Sequence, residues 1–484
     1  MADLTRVYKV GLVTSIAGLT WGYDSGIISG ILNVQSFQDL MGFTPANKTA
    51  LSGNIASALL YGGIPSYLFL SYLNDNLGRK KTIAISATFF LIGSIFQIFT
   101  WNLFSIYLGR GISGFGLAML VISVAIYNSE ISPPLIRGRI IGIQQLMVAT
   151  GIAISYWVNY AVSVTNVEGE AAFRLPFAFQ VVPCITLLIG INFIPESPRW
   201  LLSKGKTEEA RESLAFVRGL PESSPQLLNE LESTAVAIAN QEIGPWSEVF
   251  GAKNLKRIYV GLTLLIFQQF VGQNLINYFA PTMFKDLGIK GKSADLFATG
   301  VIGIVKMVFT FPGLYLIDRV GRRPLLLVST AIMAVAFFYI GFYSHYLQGS
   351  EIDARGYIAV ACIYIFMACY GCSWGIVHYV IPGEIYPQHL RARSEVVTAF
   401  SDVFNIASTQ LSPVFIANLT HGGVYFLYGG FLTFFGIWIF ATLPETKGLK
   451  LEEVDIVFNS WQRWKPVEKL MEKTTVDIED KEKP

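Results

Sequence analysis

The chain has 484 residues, of which 52% are hydrophobic and 14% are charged, and its mean hydropathy is +0.48. Soluble globular domains carry about 25% charged residues, so this composition excludes an ordinary water-soluble protein. The formal net charge is only +2, and the basic residues lie in short loops instead of one patch, so we expect no nucleic-acid partner.

Apolar stretches long enough to cross a bilayer recur along the whole chain. A transmembrane helix needs about 20 predominantly apolar residues. Segments of about ten residues with alternating polarity, typical of membrane β-barrels, are absent, so the sequence predicts an all-α membrane protein. Twelve stretches meet the requirement for a helix, near residues 10–32, 52–73, 82–100, 105–127, 140–162, 175–194, 258–283, 296–317, 324–347, 357–382, 395–418 and 424–443.

A pattern of polar residues occurs once in each half of the chain. It comprises Asp75-x-x-Gly78-Arg79, Glu130, Pro133, Arg137 and Pro195-Glu196 in the first half, and Asp318-x-x-Gly321-Arg322, Glu384, Pro387, Arg391 and Pro444-Glu445 in the second. Almost only apolar residues separate these charged segments. Duplicated sets of charged loops in an apolar chain indicate two membrane-embedded halves that move against each other, as in many transporters.

The positions of Lys and Arg predict the orientation of the chain. With the N-terminus inside, the short inner loops carry twelve Lys and Arg residues and the outer loops carry six. This excess favours both termini in the cytoplasm. The expected divisions are a cytoplasmic N-terminus (1–9), an N-terminal six-helix half (10–194), a cytoplasmic linker with short helices (195–257), a C-terminal six-helix half (258–443) and a cytoplasmic tail (444–484).

Motifs for catalysis or cofactor binding are weak in this chain. The segment from Gly109 to Gly114 has the spacing of a dinucleotide-binding loop, but no strand precedes it, and small residues that let membrane helices approach explain it better. The pair Cys369 and Cys372 lies in an apolar stretch without a second cysteine pair, so helix packing is again preferred. The sequence contains no phosphate-binding loop, zinc motif or nucleophile elbow. We therefore expect no enzyme activity, no cofactor and no metal.

With these polar motifs together, the chain resembles the sugar porter family of the major facilitator superfamily, and its sequence around them is most similar to fungal members. They are Gly22-Tyr23-Asp24, Asp75-x-x-Gly78-Arg79-Lys80, Tyr127-Asn128-Ser129-Glu130-Ile131-Ser132-Pro133 with Arg137-Gly138, Pro195-Glu196-Ser197-Pro198-Arg199-Trp200, Gln268-Gln269-Phe270-Val271-Gly272-Gln273-Asn274, Asp318-x-x-Gly321-Arg322-Arg323-Pro324, Glu384-Ile385-Tyr386-Pro387 and Pro444-Glu445-Thr446-Lys447-Gly448. The resemblance implies a major facilitator fold, with twelve transmembrane helices in two six-helix halves, in the plasma membrane.

The charged loop motifs place carboxylates and arginines where helices meet the cytoplasm. There they can form interhelical ion pairs that hold the two halves together when the cavity faces outward, and that break at a cost of only a few kcal/mol. The alternative is that these charges only set the orientation of the chain in the membrane, and we prefer this explanation for the lysines and Arg139. We assign this gate to Asp75, Arg79, Glu130, Arg137, Glu196, Arg199, Asp318, Arg322, Glu384, Arg391 and Glu445.

Asp24 and Arg110 are expected within the membrane, where ionisable groups are costly and usually functional. In proton-coupled sugar porters, the residues that match Asp24 and Arg110 are the proton acceptor and its partner, whereas facilitators often carry Asn in place of the aspartate. Paired with Arg110, Asp24 stays ionised; when the pair opens, burial favours uptake of a proton. A permanent structural ion pair is the alternative.

The resemblance assigns the substrate site to a set of amides. Gln145 in the fifth helix, and Gln268, Gln269 and Asn274 in the seventh, match amides that bind sugar hydroxyls in the family. Amides suit polyols because each offers a hydrogen-bond donor and an acceptor. Tyr278, one turn after Asn274, would line the same cavity.

Three departures from the family pattern leave the substrate open. A tryptophan of the tenth helix is here Tyr379, preceded by His378 where Pro is common, and a glutamine of the eleventh helix is here Asp402. An asparagine of the eighth helix that contacts sugar in some members is here Lys306. A lysine at mid-membrane could receive a carboxylate, as in a sugar acid, galacturonate or quinate. It could equally pair with Asp402 and leave a neutral cavity.

We therefore predict a monomeric, proton-coupled symporter that imports a monosaccharide, either a hexose or a pentose, by alternating access. A proton-coupled transporter of an acidic polyol and a facilitative sugar uniporter are the alternatives. A nutrient sensor on the same fold is not favoured, because the tail after the last apolar stretch contains no repeated motif. The expected partners are the sugar or polyol, protons and the lipid bilayer.

Overall fold

The computed structural model describes residues 4–133, 136–239, 245–289, 293–347, 352–387, 390, 393–394, 397, 400–419 and 422–447. Within these ranges the regular structure is helical and no strand occurs. Nine described helices are long and apolar enough to cross a membrane. The other predicted spans are helical as well, and they correspond to Leu4–Ile31, to the pair Ala252–Phe270 and Gln273–Asp286, and to Ser401–Asn418. The expected all-α membrane fold is confirmed.

The long helices follow the order of the predicted spans. They are α1 (Leu4–Ile31), α2 (Lys48–Leu77), α3 (Arg79–Ile98), α4 (Leu103–Ile131), α5 (Arg137–Val164), α6 (Ala171–Phe179 and Val181–Gly190), α7 (Ala252–Phe270 and Gln273–Asp286), α8 (Ala294–Arg319), α9 (Arg322–Phe342), α10 (Ala354–Cys372 and Trp374–Ile385), α11 (Ser401–Asn418) and α12 (Gly423–Thr442). Shorter helices are Gln35–Met41, Ile191–Phe193, Pro198–Ser203, Thr207–Arg218, Pro225–Ala239, Trp246–Val249 and Tyr343–Leu347.

Helix α7 is interrupted at Gly272, between its two parts. Gly272 has φ +104°, in the left-handed region that favours glycine. A side-chain carbon at this position would lie 2.5 Å from the ring of Phe337 in α9, so the site has no room for one. The break starts a new helix at Gln273 and places Asn274 in its first turn. Interrupted helices of this kind often carry the binding residues of transporters.

The two halves meet mainly along two pairs of helices, α2 with α11 and α5 with α8, and α1 also contacts the second part of α7. Tyr156 of α5 also donates a hydrogen bond to the carbonyl oxygen of Asn277 in α7, at 2.9 Å. At the predicted outer end, Ile31 of α1 belongs to the same buried apolar cluster as Tyr278 and Phe279 of α7. Helices α1 and α7 therefore pack against each other at this end.

The linker helix Thr207–Arg218 is attached to the first half. Arg218 is buried and donates to the carbonyl oxygen of Ile131, the last residue of α4, at 2.8 Å. A cation at this position is favourable because helix C-termini carry partial negative charge. The same guanidinium pairs with Glu230 at 2.6 Å, which holds two of the linker helices together.

Candidate functional site

The pair Asp24 and Arg110 lies in the middle of the first half, between α1 and α4. Both side chains are 0% exposed, and Nη2 of Arg110 lies 3.8 Å from Oδ2 of Asp24. The same Nη2 donates to the carbonyl oxygen of Ala56 in α2 at 3.4 Å. Among the described residues, neither carboxylate oxygen of Asp24 has a hydrogen-bond partner. A buried carboxylate held only by one long ion pair can exchange that pair for a proton at low cost.

Tyr278 connects this pair to the second half. Its hydroxyl lies close to Ser25, the residue after Asp24, and within electrostatic range of both Asp24 and Arg110. Tyr278 is also buried and belongs to the second part of α7. The helix that carries the candidate substrate amides therefore contacts the candidate proton site directly.

The α7 amides face other helices of the second half. Gln268 is buried, and its Nε2 donates to the hydroxyl of Tyr370 in α10 at 2.8 Å. Asn274 donates from Nδ2 to Oδ1 of Asn405 in α11 at 2.9 Å. These contacts orient both amides while leaving each with unused donor or acceptor atoms for a polyol.

The other two candidate amides are placed differently. Gln269 is buried, and its backbone carbonyl accepts a hydrogen bond from the Ser408 hydroxyl of α11 at 2.6 Å. Gln145 lies in α5 of the opposite half and is partly exposed, whereas its neighbour Gln144 is buried and donates to the carbonyl oxygen of Val121 at 3.2 Å. The amide set is thus divided between the two halves, with its larger part on α7.

Lys306 lies in α8 and is buried. Its ammonium nitrogen is 5.2 Å from the ring centroid of Tyr370, which is a cation–π contact. It forms no ion pair with any described carboxylate, and the pairing with Asp402 that the sequence left open is not present. His378 of α10 lies within electrostatic range of Lys306. Tyr370 therefore joins a candidate substrate amide, Gln268, to a buried cation.

Asp402 pairs across the interface between the two halves. Its carboxylate accepts a hydrogen bond from the hydroxyl of Tyr67 in α2. Tyr379 of α10 lies within electrostatic range of the same carboxylate. Because Asp402 is in α11, this hydrogen bond connects the α2–α11 interface and leaves Lys306 on α8 without that counter-charge.

Replacing Tyr67 with Phe removes this inter-half hydrogen bond and keeps the aromatic ring. A hydrogen bond to a charged group contributes about 1.5–3 kcal/mol, so we expect the conformation described here to lose population roughly tenfold or more. The initial rate of uptake into proteoliposomes should fall, with no change in the yield of folded protein. Tyr72→Phe is the matched control, since Tyr72 is on the same helix and exposed. Equal rates for the two variants would contradict the prediction.

In the first half, Arg79 at the start of α3 links three helices. Its Nη2 lies 2.9 Å from Oε1 of Glu130 in α4, and both side chains are largely buried, at 14% and 8% exposure. Its Nη1 donates to the carbonyl oxygen of Asn74 in α2 at 2.9 Å. The second oxygen of Glu130 accepts a hydrogen bond from the Ser197 hydroxyl. The predicted carboxylate and arginine thus meet with their hydrogen-bonding groups satisfied.

Glu196 caps the start of α3 through backbone contacts. Its carboxylate accepts hydrogen bonds from the backbone N–H groups of Arg79 at 3.0 Å and Lys80 at 3.1 Å. Negative charge is favourable at a helix N-terminus. Burial raises the pKa of Glu196, while the N–H groups and the Arg79 charge lower it. Gly78 has φ +91°, and a side-chain carbon there would lie 2.4 Å from the Glu196 carboxylate, so glycine is required.

The second half repeats this arrangement around Arg322. Its Nη2 lies 2.7 Å from Oε1 of Glu384 in α10, whose other oxygen accepts from the Thr446 hydroxyl at 2.7 Å. Glu445 accepts hydrogen bonds from the backbone N–H groups of Arg322 and Arg323, each at 3.0 Å. The duplicated sequence pattern therefore folds into two similar charge networks, one in each half.

In this conformation, each described pair of the gate set joins helices of the same half. The hypothesis that the set holds the two halves together when the cavity faces outward refers to another conformation and stays a prediction. The pairs of Asp75 with Arg79, at 4.0 Å, and of Asp318 with Arg322, at 3.4 Å, contribute least, because these carboxylates are 67% and 73% exposed. What the described pairs do is fasten neighbouring helices within a half.

The remaining members of the predicted gate are Arg137, Arg199 and Arg391. Arg199 lies in the first turn of the linker helix Pro198–Ser203, two residues after Ser197. The Arg137 side chain and the whole of Arg391 lie outside the described residues.

Several residues of these sites were not singled out from the sequence. Ser197 and Thr446 follow the duplicated Pro-Glu, so a repeated hydroxyl was available as a signal. Tyr67, Tyr370 and Asn405 lie in apolar spans with no repeated motif around them. Only the packing of α2 against α11, and of α7 against α10 and α11, brings their side chains to Asp402, Gln268 and Asn274.

The chain matches known transporters over nearly its whole length. The model of a family described as sugar (and other) transporters matches residues 10–458. The chain is 33% identical to the probable quinate permease of Neosartorya fischeri, with 98% of this chain and 91% of that protein covered. It is 32% identical to the quinate permease of Emericella nidulans, with 95% and 90% covered.

Solved structures share the fold. The partially occluded inward-open xylose transporter XylE from E. coli superposes with a TM-score of 0.78 at 24% identity, covering 92% of this chain and 100% of that one. The proton:xylose symporter XylE bound to 6-bromo-6-deoxy-D-glucose gives 0.76 at 23% identity, covering 94% and 99%. These similarities confirm the major facilitator fold that the sequence predicted. Together with the family match and the relatives, they show that the chain belongs to the sugar porter family of the major facilitator superfamily, a family of membrane transporters.

Proposed function

We propose that this transporter is a proton-coupled symporter that imports a small polyhydroxylated solute by alternating access. The observation that carries the proposal is the Asp24–Arg110 pair, which is fully buried and is held by one 3.8 Å contact. An ionisable pair at bilayer depth is costly and usually serves transport. We further propose that the protein is a monomer of the plasma membrane with both termini in the cytoplasm.

Coupling between proton and solute follows from the contacts of α7. Protonation of Asp24 removes its attraction for Arg110 and changes the electrostatic surroundings of Tyr278. Tyr278 lies one turn after Asn274 on the same part of α7. A solute bound to the α7 amides and a proton bound to Asp24 therefore both act on α7. Each of them shifts the equilibrium between the outward-facing and inward-facing conformations only by the difference in its affinity for the two.

Two solute classes fit the amide site. A neutral hexose or pentose is the first, because Gln268 and Asn274 offer uncharged donors and acceptors. An acidic polyol is the second, and two observations favour it. One is the buried ammonium of Lys306 beside the Gln268–Tyr370 bond. The other is that the curated relatives described above are named quinate permeases.

Uptake in a transport-deficient host tests the proposal. Labelled hexoses, pentoses and sugar acids are supplied at acidic and at neutral external pH, with and without an uncoupler. We expect accumulation of one solute class above the external concentration, faster at acidic pH and abolished by the uncoupler. Uptake that only equilibrates and ignores the uncoupler would make the protein a facilitative uniporter, with Asp24 and Arg110 as a structural pair.

A further inference from the structure

The ammonium of Lys306 is a buried charge without a counter-ion among the described residues. It forms neither a hydrogen bond nor an ion pair there, and its described favourable contact is the face of the Tyr370 ring. A ring face compensates only part of the cost of removing an ammonium from water. An unbalanced cation of this kind is stabilised by any anion that reaches it.

The surroundings of Lys306 contain a second nitrogen base and a hydrogen-bonded aromatic. His378 is buried on α10, and its Nδ1 contacts the carbonyl oxygen of Trp374, which leaves its other ring nitrogen for a ligand. The Tyr370 ring is oriented by the 2.8 Å hydrogen bond from Gln268. Tyr370 therefore contacts both the ammonium of Lys306 and Gln268, one of the candidate amides, and His378 lies within electrostatic range of the ammonium.

Two buried carboxylates of the described membrane helices are engaged elsewhere. Asp402 accepts from Tyr67 on α2, and Asp24 pairs with Arg110 in the other half. Neither therefore neutralises Lys306 in this conformation. Among the described residues, therefore, no carboxylate balances this ammonium, and the carboxylate of a ligand would do so.

We infer that Lys306, with Tyr370 and His378, forms a subsite for the carboxylate of a polyhydroxylated acid, whose hydroxyls bind the α7 amides. This inference rests on the proposed function and names its substrate class. A carboxylate gains a charge-assisted hydrogen bond from the ammonium, which is stronger than a bond between neutral groups. A neutral sugar would leave the buried ammonium unpaired, so the subsite discriminates against it.

The charge balance of the transport cycle follows from this assignment. A carboxylate brings one negative charge to Lys306, and the proton brings one positive charge to Asp24. The substrate and proton together carry no net charge, so the loaded and empty sites have the same total charge. Transport of the acid is thus electroneutral, and a pH gradient drives it while the membrane potential does not. Symport of a neutral sugar with a proton would instead move one positive charge and respond to the potential.

Proteoliposomes that contain the full-length protein separate these cases. Potassium gradients with valinomycin set the potential independently of the pH gradient, and labelled quinate and glucose serve as the acidic and neutral probes. We expect an inside-alkaline gradient to drive quinate accumulation at a rate that an inside-negative potential does not alter. Lys306→Met should lower quinate uptake roughly 10- to 100-fold, the effect of losing a charged hydrogen bond. Lys81→Met, at an exposed lysine, is the matched control.

Each other outcome has a defined meaning. Quinate uptake that an inside-negative potential accelerates would overturn the inference, and this measurement on the unmodified protein does not depend on the folding of a variant. Proton-driven accumulation of glucose without quinate transport would overturn the carboxylate subsite and leave the proposed function intact. Downhill uptake of quinate that ignores the pH gradient but is lost in Lys306→Met would support the subsite and contradict the proton coupling.

Discussion

Asp24→Asn is expected to abolish accumulation of substrate against its gradient while preserving exchange of substrate across the membrane. The amide has nearly the same shape as the carboxyl group but does not take up or release a proton. Asp24 is 0% exposed, so water does not replace the lost group. The accumulation ratio under a pH gradient should fall to about one, the value without coupling. Concentrative uptake and counterflow, measured in the same proteoliposomes, check both parts of the prediction.

Two controls accompany this variant. Asp39→Asn, at an exposed carboxylate of the short outer helix Gln35–Met41, should accumulate substrate normally. Asp24→Asn itself removes the negative charge that faces Arg110, whose other contact among the described residues is the Ala56 carbonyl. Thermal unfolding of Asp24→Asn must therefore be measured as well. A folded Asp24→Asn protein that still accumulates substrate would refute the role of Asp24 as the proton acceptor.

Arg79→Gln is expected to cause the largest loss of stability among the charged-network variants. It leaves the Glu130 carboxylate, only 8% exposed, without its cation. Breaking a buried ion pair by removing one partner typically costs about 3–5 kcal/mol, because the remaining charge stays buried. The temperature of unfolding in detergent, measured for wild type and variant, gives the effect. Transport should fall with the amount of folded protein.

The double variant Arg79→Gln/Glu130→Gln tests whether the unpaired carboxylate of Glu130 causes this loss of stability. Removing both charges eliminates the unpaired carboxylate, so the double variant should be more stable than Arg79→Gln alone. Arg322→Gln provides the matched comparison in the second half, where the partner Glu384 is 28% exposed and retains more contact with water. Its loss of stability should be smaller than that of Arg79→Gln. Equal losses in the two halves would mean that burial of the carboxylate does not determine the effect.

The two charge networks explain how a half can move as a unit. Arg79 holds the ends of α2, α3 and α4 together, and Arg322 makes similar contacts with α8 and α10. By contrast, contacts such as Tyr67 with Asp402 join different halves. Alternating access moves one half against the other. The contacts within a half therefore keep that half rigid, whereas the contacts between the halves can break and re-form during the transport cycle.

Much of the architecture could be predicted from the chain alone. Hydrophobic length predicts the membrane spans because every such helix must satisfy its backbone inside lipid. The duplicated motifs placed carboxylates and arginines together at the ends of the helices, beside short loops. Their individual partners, Arg79 with Glu130 and Arg322 with Glu384, come from the structure. The resemblance to the sugar porters implied that Arg110 is the partner of Asp24, and the structure places the two side chains 3.8 Å apart.

The partners of mid-helix polar residues depended on tertiary structure. The sequence allowed two partners for Lys306, a substrate carboxylate or Asp402. In the fold, the ammonium lies over the Tyr370 ring, and Asp402 instead accepts a hydrogen bond from Tyr67. Position along a span sets the depth of a side chain in the membrane, and the chain determines that by itself. Which neighbour the side chain meets depends on the rotation of its helix and on the helix that packs beside it. Those quantities arise only when all the helices assemble, because apolar residues surround each span on every face and give no directional signal.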